Sequence, residues 1–231
     1  MENVELCYLP ATEMLARFRS RELSPVEVAE AVLARLERLN PQLNAFLTPT
    51  PDVALAAARA AERAYADGSP GLLAGAPISI KDNHLTAGIR STNGSLIHKD
   101  RIPETNSLFT ERVLAAGAVL LGKTNLPEAG WKGASTNRLG PPARNPWDTN
   151  RTPGGSSSGA AAAAAAGIGP LHQGGDGAGS IRIPAGFCGV FGMKASYGAI
   201  AYPGTNAMQL AHPGPLTRTV RDGALLIQAV A

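Results

Sequence analysis

Gly154-Gly-Ser-Ser-Ser-Gly159, the alanine run Ala160–Ala166 and Gly174-Gly-Asp-Gly-Ala-Gly-Ser-Ile-Arg-Ile-Pro184 decide how this chain is read. Side chains as small as those of Gly159–Ala166 make sense only in a close-packed helix. The segments on either side combine serines with backbone that is almost bare. Bare backbone brings main-chain N–H groups close to a ligand and aims them at one point, which is what an oxyanion hole requires. A flexible surface linker has a similar composition. These segments, however, alternate with the apolar runs Ala160–Ile168 and Phe187–Phe191, and a linker is not embedded in core-like sequence.

Outward from this stretch, strands are predicted at Gly169–Leu171 and Val190–Met193, and a last helix from about Thr217. Upstream, Ala76-Pro-Ile-Ser-Ile80 reads as a strand ending on Lys81-Asp82-Asn83. Ser107–Ala116 reads as a helix, Ala118-Val-Leu-Leu121 as another strand, and Asn125–Gly155 as loop. The first third is helical. Ser24-Pro25 with Glu27 forms a capping-box start. Val28, Val32, Leu36 and Leu39 then recur at helical spacing up to Asn40-Pro41, and a second, Ala-rich helix covers Asp52–Ala66. Strands alternating with helices predict an α/β fold, a mixed, twisted β-sheet covered by helices on both faces. We assign residues 1–70 to an N-terminal helical segment and 71–231 to the α/β core, one domain overall. The apolar pattern Asp222–Ala231 ends without a cap and reads as a cut inside a domain.

With 44% hydrophobic and 17% charged residues among 231, the chain has the composition of a globular core former and not of a disordered one. Its 26 Gly and 18 Pro follow no collagen-like period and imply many turns. The longest apolar run, Ala160–Ile168, is half of the roughly 18 residues a membrane span needs. Met1-Glu-Asn-Val-Glu lacks the regions of a signal peptide. Cys7 and Cys188 are the only cysteines, which excludes a disulfide framework and fits a reducing cytoplasm. The net charge of +3 comes from scattered Lys and Arg, an ordinary solvated surface that predicts neither a nucleic-acid nor a membrane partner.

Two motifs suggest chemistry that their surroundings do not support. Gly117-Ala-Val-Leu-Leu-Gly-Lys-Thr124 fits the phosphate-binding pattern G-x-x-x-x-G-K-[ST], but its variable positions are themselves an apolar strand, where the mechanism needs a loop. Gly155-Ser-Ser157-Ser-Gly159 fits the G-x-S-x-G nucleophile elbow, and Asp176 and His212 complete a Ser, Asp, His order. The elbow needs a strand leading into it, and Arg151-Thr-Pro-Gly-Gly is turn sequence. His84, His98, His172 and His212 show no metal-ligand spacing, so no metal site is predicted.

The run from Arg151 to Ala160, with that from Gly174 to Lys194, resembles the signature of the amidase signature family. Gly75-Ala-Pro-Ile-Ser-Ile-Lys-Asp82, Gly122-Lys-Thr-Asn-Leu-Pro-Glu128, Arg144-Asn-Pro-Trp-Asp148 and Gly214-Pro-Leu-Thr-Arg-Thr-Val-Arg-Asp222 agree in order. The Leu-Pro-Glu-x-Gly-Trp segment leans toward members other than the glutamine-hydrolysing component of the glutamyl-tRNA amidotransferase. The resemblance implies a Ser–Ser–Lys triad: Ser180 as nucleophile, Ser156 as the bridging serine on a cis peptide, and Lys81 as base. It also implies an oxyanion and substrate site at Gly177, Ala178 and Gly179, with Ser157 as a hydrogen-bonding neighbour and Gly130 lining the substrate. Asp176 and Arg182 are read as supports of the loop. Metal and cofactor are absent from this chemistry.

The implied chemistry is reasonable residue by residue. A serine hydroxyl attacks only when a base takes its proton, and a lysine is that base only when burial keeps it neutral. The sequence departs from the family pattern at Ser158, Gly177 and Ala178 and at Lys194-Ala-Ser-Tyr197, and it is about half the family's length, so part of the acyl-pocket wall is missing. Ala178 fits the loop only with a negative φ. The expected function is hydrolysis of a small-molecule carboxylic amide. A glutaminase-type component of a tRNA-dependent amidotransferase and a non-catalytic fragment are the rivals, with a homodimer or a missing C-terminal half as the partner.

Overall fold

The computed structural model describes residues 3–202 and 210–231. Its elements run α1 (Val4–Tyr8), α2 (Ala11–Ser20), α3 (Pro25–Leu43), β1 (Phe46–Pro49), α4 (Pro51–Ala66), β2 (Pro77–Lys81), α5 (Leu108–Ala115), β3 (Val119–Thr124), α6 (Ser158–Ala165), β4 (Leu171–Asp176), α7 (Arg182–Cys188), β5 (Phe191–Gly192), β6 (His212–Thr217) and α8 (Val220–Val230). The strands form one mixed sheet in the order β1-β3-β2-β4-β6-β5. The inner strands β3, β2 and β4 run parallel, and β1, β6 and β5 add antiparallel pairings.

Side-chain alternation along β6 shows that both faces are covered. Leu216 packs with Ala160 and Ala161 of α6 and Ile181 and Ala185 near or in α7. Its neighbour Thr217 faces the other way, where a Cβ on Gly223 of α8 would come within 3.4 Å of its Oγ1. The predicted mixed α/β sheet with helices on both faces is therefore the observed fold. Among the described residues, no helix is long and apolar enough to cross a membrane.

The caps of α3 form as read: Ser24 Oγ accepts from Val26 N–H and Glu27 returns a bond to Ser24 N–H. The helix does not stop at Asn40-Pro41, however; it runs on to Leu43 and closes at Asn44 in the left-handed region (φ 48°). A proline this late removes a single helical hydrogen bond, and the Asn40 side chain, turned back onto Phe46 N–H and C=O, fixes the exit. The helix α6 is buried on all sides, and a Cβ on Gly159 at its start would lie 2.1 Å from Ala45 O. Only a glycine allows that approach.

Three strand assignments needed correction. The strand β3 continues through Gly122-Lys123-Thr124, so the phosphate-loop pattern is extended chain in a sheet. The strand β4 begins at Leu171, not Gly169, and carries Gly174 and Gly175 to Asp176. Its partner β6 spans His212–Thr217, where no strand was expected, and the last helix, expected from about Thr217, starts at Val220, capped by the Thr219 hydroxyl. Two prolines in β6 hid the strand. Met193 N–H donates to Pro215 O, so the odd positions of β6 point their backbone toward β5. There β5 pairs only with Leu216 and Thr217, and the missing N–H groups of Pro213 and Pro215 cost no ladder bond.

Candidate active site

Two neighbouring parallel strands end at the same edge of the sheet, β2 at Lys81 and β4 at Asp176. Lys81 is 1% exposed. Its Nζ lies 2.7 Å from Ser156 Oγ and 3.4 Å from Gly175 O, and its backbone N–H donates to Gln173 Oε1 at 2.9 Å. Burial lowers the amine from 10.5 to about 7, against the opposing pull of the Asp176 charge. At neutral pH a substantial share of Lys81 is therefore the free amine.

Ser156 enters from the loop before α6. Its peptide bond with Gly155 is cis, as the resemblance implies. The chain is tight here, since a Cβ on Gly155 would meet Ala134 O at 2.4 Å. Gly130 (φ 69°) passes beside the same hydroxyl, where its Cβ would lie 3.4 Å from Ser156 Oγ.

Asp176 organises the loop that follows it. Its Oδ1 accepts from Gly179 N–H (2.6 Å) and Arg182 Nη2 (3.1 Å). Its Oδ2 accepts from Arg182 Nε (2.9 Å) and from the N–H groups of Ile181 (3.2 Å) and Arg182 (3.3 Å). Burial raises the pKa of this carboxyl, but Arg182 and the three backbone donors outweigh it and hold the group at about 2. The N–H of Gly179 is thus committed to Asp176. Those of Gly177, Ala178 and Ser180 have no acceptor among the described residues. Ala178 avoids positive φ, as an L-residue in this loop must, while Gly179 takes φ 109°.

Ser157 ties the two serine-bearing segments together. Its N–H donates to Ser180 O (3.0 Å), and its Oγ accepts from Gly175 N–H (3.1 Å) and donates to Gly175 O (3.3 Å). The elbow triad is not assembled: Asp176 bonds Arg182 and backbone, and His212 Nδ1 bonds Leu210 O. Lys81, Ser156 and Ser180 instead line one cavity of about 450 Å³, together with Gly130, Gly177 and Ala178.

The cavity is also lined by His84, Trp131, Tyr202 and His212, which sequence reading did not place with the Lys81, Ser156 and Ser180 positions. Sequence reading also missed a second buried lysine. Lys123 Nζ donates to His84 O (2.6 Å) and Ser91 Oγ (2.7 Å), under the turn that follows Lys81. Burial lowers Lys123 to about 8, with Asp82 opposing and Arg101 adding to the fall. His84 is brought to about 3 by burial and by the charges of Lys81 and Lys123. The available signal was a lysine at the end of the apolar strand β3, within the phosphate-loop pattern. No group of three or more His, Cys, Asp or Glu suited to a metal occurs among the described residues.

The family model "Amidase" matches residues 27–231. The chain is 45% identical over 231 residues to the A-type component of the glutamyl-tRNA(Gln) amidotransferase of Carboxydothermus hydrogenoformans, covering 99% of this chain and 48% of that protein. It is 42% identical over 236 residues to an acylamidase of Rhodococcus erythropolis, covering 100% and 49%. Identity therefore does not support the lean away from the amidotransferase component. Among solved structures, the peptide amidase of Stenotrophomonas maltophilia superposes with a TM-score of 0.90 at 33% identity, over 97% of this chain and 48% of that one. A bacterial aryl acylamidase of the amidase signature family gives 0.90 at 36% identity, over 96% and 47%. The chain spans about half the length of the relatives it matches, and it belongs to the amidase family.

Proposed function

We propose that the chain carries the catalytic half-site of an amidase, which hydrolyses a carboxylic amide through an acyl-enzyme on Ser180. The observation that carries this reading is the buried Lys81 Nζ, lowered to about 7 and 2.7 Å from Ser156 Oγ, on the wall of the cavity that Ser180 also lines. Ser180 Oγ attacks the amide carbon while its proton passes to Ser156 Oγ, whose own proton passes to Lys81 Nζ. The carbonyl oxygen becomes an oxyanion held by the N–H groups of Gly177, Ala178 and Ser180. The proton returns through Ser156 to the leaving nitrogen, the C–N bond breaks, and the amine departs. Water then attacks the ester, giving its proton to the same relay, and the acid is released. No metal or organic cofactor takes part in these steps, and the partner is a small-molecule amide in a reducing, cytoplasmic setting.

A second reading rests on the 45% identity to the amidotransferase component, in which the amide is glutamine and the ammonia goes to a partner. Stable co-purification with other proteins of such a complex and a strong preference for glutamine would favour it. The deciding experiment for the shared chemistry is mass-spectrometric mapping of a fluorophosphonate adduct, with Ser180→Ala as control. An adduct on Ser180 that is lost in the variant supports the triad. An adduct on Ser157 supports the elbow, and no adduct on the folded chain supports the non-catalytic fragment.

A further inference from the structure

His212 opens β6 directly across from Asp176, the residue from which the glycine loop springs. It is 6% exposed and lines the cavity that holds Lys81, Ser156 and Ser180. Its Nδ1 lies 2.7 Å from Leu210 O. A carbonyl oxygen can only accept, so Nδ1 carries the hydrogen, and in the neutral ring Nε2 is a bare lone pair. That Nε2 is buried and has no partner among the described residues. The ring is also held in place, edge-on to Tyr197 with centroids 5.6 Å apart. A buried acceptor left without a donor is destabilising, and in a catalytic cavity the natural donor is a bound molecule.

We propose that His212 is a substrate-binding residue whose Nε2 accepts a hydrogen bond from an N–H or O–H group of the substrate. The proposal rests on the amidase reading of the cavity. It makes the site selective for substrates with a donor, either the nitrogen of the scissile amide or a polar group on the acyl chain. Two matched series separate these sources. A primary amide against its N,N-dimethyl amide and methyl ester probes the scissile nitrogen. An acyl chain with and without a hydroxyl probes the acyl side.

The first test uses the intact chain with ¹⁵N-labelled histidine and Ser180→Ala to stop turnover. Binding of the donor-bearing ligand should shift the Nε2 resonance of His212, and the matched ligand lacking the donor should bind without that shift. The second test is kinetic: His212→Ala should raise KM tenfold or more for the donor-bearing substrate and change it little for its partner. His212→Gln, which keeps an acceptor, should recover part of the loss. Equal shifts within both pairs, or a KM change that ignores the donor, overturn the assignment of His212 while Ser180 labelling still stands. Failure of fluorophosphonate to label Ser180 overturns the catalytic reading instead.

Discussion

Replacing Lys81 by Met tests the central electrostatic claim without requiring a substrate. An exposed lysine titrates at 10.5, and burial brings Lys81 to about 7. Below pH 7 the folded and unfolded chains both hold the proton, and the folded chain bears the cost of a buried cation. Between pH 7 and 10.5 the unfolded chain holds a proton that the folded chain has released, so stability rises with pH. Each pH unit in this window is worth about 1.36 kcal/mol, or about 4 kcal/mol from pH 7 to 10. The Lys81→Met chain lacks this gain, while Lys123 titrates alike in both proteins and cancels. The assay is urea unfolding of both chains at one-unit steps from pH 6 to 10. The stability of the parent relative to Lys81→Met should be flat below pH 7 and climb above it, and kcat/KM of the parent should rise to a plateau over the same limb. A difference that stays constant from pH 6 to 9 would show that Lys81 keeps its ordinary pKa, and the neutral-amine base would be refuted.

Gly179→Ala should lower kcat/KM at least tenfold, because Gly179 sits at φ 109° in the loop proposed to hold the oxyanion and the new Cβ would lie 2.8 Å from Ile183 Cδ1 of α7. Its melting temperature should fall far less than its activity, and unchanged activity would mean the loop geometry is not critical. Lys123→Met leaves the buried Asp82 without its compensating cation and should cost about 3 kcal/mol in urea unfolding; a loss below about 1 kcal/mol would assign Lys123 no structural role. Asp222 accepts from Thr12 N–H (3.0 Å) and Oγ1 (3.1 Å) and thereby ties α2 to α8. Asp222→Ala should cost about 1–3 kcal/mol and raise the hydrogen-exchange rate of the N-terminal helices; protection unchanged there would count against the tie.

Where the backbone follows local rules, the sequence was legible. The Ser24 cap, the strand ending on Lys81, the Ser107 start of α5 and the alanine-rich α6 were read from spacing and composition alone. The strand β6 was not, because its prolines argue against a strand until one knows that β5 stops short beside them. The small β1, with two prolines close by, and the proline-containing α7 were missed for related reasons: their stability comes from packing and from neighbours distant in sequence. The triad positions came from motif resemblance, since no periodicity marks Ser156 or distinguishes Lys81 from Lys123. That His84 and His212 share the cavity stayed hidden because His84 follows β2 and His212 opens β6, strands far apart in sequence that only the fold sets on either side of β4, and the two carry no spacing signal. The division of labour within the glycine loop was also illegible. That Gly179 serves Asp176 and Gly177, Ala178 and Ser180 do not is a matter of hydrogen-bond geometry.

The geometry also explains how a carboxylate and a neutral lysine share one site. If Asp176 bonded Lys81 directly, the amine would be held as a cation and lost as a base. Instead Lys81 meets a hydroxyl and a carbonyl, and both oxygens of Asp176 are occupied by Arg182 and the loop. The guanidinium also lies against the negative charge that acts on Lys81. Arg182→Ala should let the Asp176 charge act on Lys81 with less opposition, raise the lysine pKa, and move the rising limb of kcat/KM above pH 7. Arg182→Lys should restore part of the charge balance without the two-pronged grip, leaving the limb closer to its original position while the loop remains looser. The pH profile separates this from a bracing role. If both variants lower kcat by the same factor at every pH and the limb does not move, Arg182 only supports the loop, and the low pKa of Lys81 owes nothing to it.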